Sequence, residues 1–348
     1  MKKSSLISIA VAASTAALLL AGCSTPAATT TTKTRACVIL PDAASSPRWE
    51  TLDRPAIASA LKDAGFDSDI QNAQGDTNKY ATIADQQLTK GCGVMLLVDY
   101  NGAGVQVAAK AKAQGIPVIA YDRPIAGADY YVSFDNATVG ALEGQMIVDG
   151  LKAAGKDPAT AIVVYMGGDP ADGNAKFFHD GAVGVMSAAG IKPAAEPVGV
   201  WDGDKSATNF EQALTGLNGK VDAVWVANDT NAAGVITILD KNHLTVPVSG
   251  QDASVAGLQN VLLGKQTGTV YKPVSLEAKA ATDTAIALLK GDKPTANKKL
   301  DDGTPYIDVP PISVGPDKVE TVVTAGDAKA ADICTADVAA ACAKYGVK

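Results

Sequence analysis

The 348-residue chain is poor in the groups that most chemistry needs. It has two histidines, His179 and His243, with no partner spacing around either, so both read as surface or structural residues and no His-based metal set or catalytic relay is available. No nucleophile elbow, phosphate loop, GxGxxG or CxxC pattern is present. Net charge is -7 and no basic cluster exceeds a few residues, which argues against a nucleic-acid partner. Aromatic residues make up only 5% of the chain, while Ala and Gly are plentiful, a composition that suits closely packed helix-on-sheet layers. The apolar run Leu6–Leu20 is too short to span a bilayer comfortably.

That run follows Lys2 and Lys3 and precedes Ala21, Gly22 and Cys23, the layout of a secretory signal over residues 1–22. LLAGC resembles a bacterial lipobox, which implies that Cys23 becomes a lipidated N-terminus anchored to the membrane outside the cytoplasm. Residues 23–34, nearly all Ser, Thr, Ala and Pro after the cysteine, then form a flexible tether. Beyond it are four cysteines in a compartment that permits disulfides, and four allow three pairings. Cys334 and Cys342 lie close together in a short helical tail and are expected to bridge locally, leaving Cys37 for Cys92.

The remaining three hundred or so residues are long enough for two cores. Short apolar runs at Val38–Leu40, Val94–Val98, Val118–Ala120, Ile162–Tyr165, Val221–Ala227 and Val246–Ser249 read as strands. Segments such as Pro55–Ala64, Val105–Gln114 and Ala232–Leu239 have helical periodicity and alternate with them. Continuous apolar strands joined by helices predict α/β architecture, with two doubly wound parallel-sheet lobes.

An internal repeat strengthens that prediction. At a constant offset of 130, Asp99 falls on Asp229, Asn101 on Asn231, Gly104 on Gly234, Pro117 on Pro247 and Asp122 on Asp252. The two halves read as copies of one βαβ-based lobe. In open parallel sheets ligands bind outside the carboxyl ends of the strands, which is where Asp122, Arg123 and Asp252 fall. A lone aspartate there would more simply cap a helix or make a turn, whereas a repeat-related pair can approach one ligand from opposite sides.

Other strand ends carry residues of the same character: Arg48 and Trp49, Asp172 and Asn174, Trp201, Asn228 and Lys272. Carboxylates accept hydroxyl protons, while amides, guanidinium and ammonium groups donate to hydroxyl oxygens. An indole covers the apolar face of a sugar ring. Because the signs are evenly mixed, the set suits a neutral polyol better than an anion. Asp122 and Asp252 could instead serve a glycosidase as paired carboxylates, but their cationic and amide company is expected to keep them ionised.

The stretches DYNG, AYDR, YVSFDN, MGG followed by DGNAK, AND, SGQDA and TVYKP, with RW near the first strand, resemble the type I periplasmic sugar-binding proteins of ABC transporters. The similarity runs in order from about Cys37 to Val322 and is strongest to the members that bind D-xylose and related monosaccharides. It implies a non-enzymatic, cofactor-free monomer that encloses a monosaccharide between its lobes and delivers it to a membrane permease. The implied contacts are Arg48, Asp122, Arg123, Asp172, Asn174, Trp201 as stacking ring, Asn228, Asp252 and Lys272, with Trp49 as a further member. Residues 35–134 with 273–305 are then the N-terminal lobe, and 135–272 with 306–348 the C-terminal lobe. Three crossings are implied, near Phe134–Ala137, Tyr271–Pro273 and Tyr306–Pro311. Xylose-binding members have an acidic residue where this chain has Pro47, so the resemblance indicates a monosaccharide without fixing which one. Some members of the family serve a membrane sensor instead of a transporter, and both uses would employ the same closed lobes.

Overall fold

The computed structural model describes residues 35–348; the expected signal segment, the expected lipidation at Cys23 and the expected tether to Thr34 lie outside the described residues. Its strands, in chain order, are β1 (Arg35–Leu40), β2 (Asp67–Asn72), β3 (Val94–Leu97), β4 (Val118–Tyr121), β5 (Tyr130–Phe134), β6 (Val163–Met166), β7 (Pro193–Ala195), β8 (Ala223–Val226), β9 (Thr269–Tyr271), β10 (Lys298–Lys299), β11 (Pro305–Val309) and β12 (Ile312–Val314). One sheet has the order β10-β11-β5-β4-β3-β1-β2 and is parallel except for β10. Its strands β1, β3 and β4 are almost entirely buried because helices cover both faces. The helices Thr77–Lys90 and Ala103–Ala113 seal one face through Tyr80, Ile83 and Val107. On the other face Arg54–Asp63 and Val274–Lys290 pack through Ile57, Leu61 and Ala281.

The second lobe repeats the plan around the parallel order β7-β6-β8. Isolated bridges Val224–Val248 and Gln251–Val270 continue it to β9, which pairs antiparallel with β12. The strand expected at Val246–Ser249 is therefore reduced to a single bridge. Pro247 has no N–H to give a ladder, and the Ser249 hydroxyl both accepts from Val226 N–H at 2.8 Å and donates to Val226 C=O at 3.1 Å, taking over main-chain positions. The two halves thus share a layout, with the second sheet less regular.

The chain crosses between lobes after β5, after β9 and after β11. The third crossing differs from the expected lobe boundary at residue 306. Tyr306–Val309 still pairs with Tyr131–Phe134 in the first sheet, and the chain returns to the second lobe only through Pro310 and Pro311, which precede β12. These prolines lack the N–H that further pairing would require.

Both expected disulfides are present, Cys37–Cys92 tying the start of β1 to the turn before β3, and Cys334–Cys342 within the tail. The tail carries Ile333, Val338 and Val347 into an apolar cluster with Leu258, Val261 and Tyr271, so it closes the end of the second lobe.

Helices Asn136–Ala153 and Gly173–Ala188 lie unusually close, because glycines meet backbone at the contact. A Cβ on Gly140 would stand 1.9 Å from the Phe178 carbonyl oxygen, and one on Gly181 would stand 2.1 Å from that of Ala137. This contact fixes Asn136 and Asn174 near one another below the cleft. Gly140→Ala and Gly181→Ala should each destabilise by about 3 kcal/mol or more, because only backbone movement relieves the clash. Gly184→Ala, in the same helix with nothing within 4 Å of the added atom, should be neutral or gain about 0.5–1 kcal/mol. Denaturant midpoints of the three variants check this; equal effects at all three positions would contradict it.

Candidate functional site

At the end of β4 the backbone turns sharply and Asp122 adopts φ of 62°; its repeat counterpart Asp252 has φ of 94°. Such left-handed conformations are strained for non-glycine residues and cluster at functional positions. Each is locked by the same bond, Asp122 N–H donating to Val132 C=O at 2.8 Å and Asp252 N–H to Val270 C=O at 2.9 Å. The turn points both side chains into the space between lobes. The repeated Asp99 and Asp229 instead hold backbone in place: Asp99 holds its own loop by accepting from Gly102 and Gly104 N–H, and Asp229 ties later segments together by accepting from Ser254 N–H, Gln266 and Thr269.

Arg48 precedes a π-helical turn, Trp49–Asp53, whose wider winding matches an i,i+5 pair. Its Nε and Nη2 donate to Asp53 Oδ2 and Oδ1 at 2.9 and 2.7 Å. A second Nη2–H reaches Glu277, and Nη1 donates to Asp122 Oδ2 at 3.0 Å. Four of the five guanidinium N–H groups are thereby occupied, leaving one on Nη1. The Trp49 ring lies 4.7 Å from the Arg48 guanidinium and 5.6 Å from that of Arg123, and its Nε1 donates to Ser45 Oγ at 3.0 Å.

The remaining residues join the lobes. Arg123 donates to Asp99 C=O at 3.0 Å, and its Nε lies 3.0 Å from Asp172 Oδ2 in the other lobe. Asp172 caps its helix through Asn174 N–H and also accepts from Trp201 Nε1 at 3.1 Å. Asn174 donates to Asp122 C=O at 2.8 Å and accepts from Tyr131 and Asn136. Asn228 caps the Asp229–Lys241 helix and donates to Ser45 C=O at 3.2 Å. Lys272 Nζ sits 2.7 Å from Asp252 Oδ1 and 5.7 Å from the Phe134 and Phe178 rings. Trp201 rests on Gly168, where an added Cβ would come within 2.1 Å of the indole, and meets Phe178 edge-on.

All ten residues singled out from the sequence line one interlobe cavity, within which the side chains leave about 30 Å³ of free space. Ser45, Ser46, Phe178 and Gln251 also line it and were not picked out. The two serines and Gln251 adjoin the chosen residues in SSPRW and GQD, and Phe178 lies one helical turn after Asn174, so adjacency was their only signal. Arg48, Arg123 and Lys272 face Asp122, Asp172 and Asp252, so the walls balance in charge.

Burial alone would lower Arg48, yet Asp53, Glu277 and Asp122 together hold it well above its ordinary value. Burial pushes Glu277 well up, and Arg48 offsets this only in part. Burial also raises Asp172 despite Arg123. For Asp252 the opposite outcome holds: burial works upward, but Lys272 and Arg48 prevail and keep its carboxyl low. Lys272 stays raised because Asp252 and Asp122 outweigh its burial.

A family model described as periplasmic binding protein domain matches residues 37–293. The chain belongs to the periplasmic binding protein family. Relatives of known name include a D-xylose-binding periplasmic protein of Haemophilus influenzae, 36% identical over 293 residues, covering 80% of this chain and 86% of that protein. The corresponding protein of Escherichia coli is 34% identical over 302 residues, covering 82% and 88%. A solved ABC transporter solute-binding protein from Clostridium phytofermentans with bound β-D-glucose superposes with a TM-score of 0.78 at 26% identity, covering 86% of this chain and 99% of that one. These relatives are binding proteins and not enzymes, and the two-lobed α/β architecture is that of the type I periplasmic binding proteins.

Burial raises Asp229, directly behind Asp252, from the usual carboxylate range to about 7. Because its folded value exceeds its unfolded one, the folded state binds the extra proton. Its stabilising contribution is whole below about pH 4 and is lost as pH rises to about 7. Asp229→Asn should flatten the stability profile between those limits, measured by denaturant unfolding at several pH values; an unchanged slope would remove Asp229 as its source.

Proposed function

We propose that this protein is an extracytoplasmic binding component of an ABC importer. In this reading it encloses one neutral monosaccharide, D-xylose or a related pentose or hexose, and presents it to a membrane permease. The observation that carries the proposal is the charge-balanced, buried cavity in which donors and acceptors from both lobes converge. Hydroxyls satisfy such a wall group by group, whereas an anion would leave Asp122, Asp172 or Asp252 facing like charge. The xylose-binding names of two relatives and the glucose of a solved neighbour agree with this class of ligand.

Arg48, Trp49, Asp122 and Arg123 contribute from the first lobe and Asp172, Asn174, Trp201, Asn228 and Asp252 from the second, with Lys272 reaching in from the crossing after β9. Ligand contacts from both lobes exist together only when the cleft is shut, so the ligand favours that state by its differential affinity. A sugar lacking one hydroxyl leaves a buried Asp or Asn unpaired, at about 1–3 kcal/mol. Anchoring through lipidated Cys23 would keep the protein beside its permease.

A thermal-shift screen of the purified protein against monosaccharides and polyols tests the proposal. At a hundredfold excess over Kd a ligand stabilises by about 2.7 kcal/mol, a rise of several degrees in Tm. One sugar should give that rise, and Asp252→Asn should weaken its binding by roughly a hundredfold, near the ~3 kcal/mol limit for an unpaired buried group. No shift with any monosaccharide or polyol would refute it.

A further inference from the structure

Beside the cavity just described lies a second, wider one of about 450 Å³. Both are lined by Ser45, Arg123, Asp172 and Trp201, so these side chains form a common wall. The second cavity also bridges the lobes, between the loops that follow β1, β2 and β3 and those that follow β6 and β7. A group occupying it would therefore add to the contacts that exist only in the closed state.

Two flat rings border this space. Trp201 is held rigidly by Gly168 beneath it, by Phe178 at its edge and by the bond from its Nε1 to Asp172. Tyr100, half-buried at the end of β3, stands in the opposite lobe's wall. Amides at Gln74 and Asn101 and the ammonium of Lys205 supply hydrogen-bonding groups around them. Asp42, Asp99, Asp169, Asp172 and Asp202 outnumber Arg123 and Lys205, so a phosphorylated or carboxylated group is disfavoured. Stacking rings, amides and an excess of hydrogen-bond acceptors describe a place for a second, neutral sugar ring.

Resting on the sugar-binding reading, we propose that the wider cavity is a subsite for a ring joined through a glycosidic oxygen to the sugar in the inner cavity. The ligands of the protein then include short neutral glycosides, disaccharides above all, in addition to free monosaccharides. The Arg123–Asp172 pair, which closes the common wall at 3.0 Å, parts to pass the glycosidic oxygen, and Trp201 serves the rings on both sides of it.

The test is calorimetric titration of the purified protein with free monosaccharides, their methyl glycosides and their disaccharides. One disaccharide should bind within about tenfold of its free sugar. Ala171→Trp, on an exposed loop position that lines only the wider cavity, should fill the subsite. It should weaken the disaccharide at least twentyfold and leave the monosaccharide within twofold. Tyr100→Leu should weaken the disaccharide about fivefold, again sparing the monosaccharide. Glycosides bound more than a hundredfold more weakly than the free sugar, or Ala171→Trp affecting both ligands alike, would overturn the subsite while leaving the monosaccharide reading intact. Binding of disaccharides with no free sugar bound would keep the subsite and remove that reading, and binding of neither would remove both.

Discussion

A single buried guanidinium holds much of this molecule in place. Arg48 meets Asp53 within its own π-helical turn, Asp122 at the end of β4 and Glu277 in the helix that follows the second lobe crossing. Three carboxylates around one cation, with Arg48 only 4% exposed, leave surplus negative charge in a place where charge is expensive. Removing Arg48 would leave three buried carboxylates without their cation, whereas removing one carboxylate leaves two others to hold the guanidinium, so its position is over-determined. It sets the one Nη1–H that remains for the cavity, it fixes the strained turn at Asp122, and through Glu277 it connects the first lobe to the hinge. Tyr121 adds a further bond to Asp53, which extends the same network into the core of the sheet.

Around this cluster the two lobes are joined by pairs that each belong half to one side. Arg123 and Asp172, Asn228 and the Ser45 carbonyl, and Asn174 and the Asp122 carbonyl are all interlobe. Polar groups that satisfy one another across a cleft stabilise closure only modestly, because each could bond water instead when the cleft opens. A ligand that donates and accepts at several of these groups together shifts the balance further toward closure, and the equality of cationic and anionic walls makes the selection one of hydroxyl geometry. The rigid setting of Trp201 on Gly168 contributes shape to that selection, since the indole cannot retreat to admit a misfitting ring.

Much of this was legible in the sequence. The repeat at an offset of 130 located Asp122 and Asp252, and the structure gives both the same left-handed turn and equivalent main-chain bonds. Strand ends carrying polar and cationic residues brought all ten chosen positions to one cavity, and counting cysteines gave both disulfides. What was not legible depends on contacts made across long separations. Glu277 reads as an ordinary helical residue, and only folding places it against Arg48. Val246–Ser249 has the apolar pattern of a strand, but Pro247 has no N–H to donate and the Ser249 hydroxyl takes the main-chain groups of Val226. The first sheet keeps Tyr306–Val309 because β11 finds an open edge at β5, a pairing that local pattern does not encode.

A charge-balanced cavity should select an uncharged polyol. Isothermal titration of the purified protein with a neutral hexose and with the corresponding uronic acid, under matched salt and at pH 7, measures that selection. The neutral sugar is expected to bind, and the acid, with the same ring and a carboxylate in place of the hydroxymethyl group, to bind at least a hundredfold more weakly. Equal or tighter binding of the acid would contradict it.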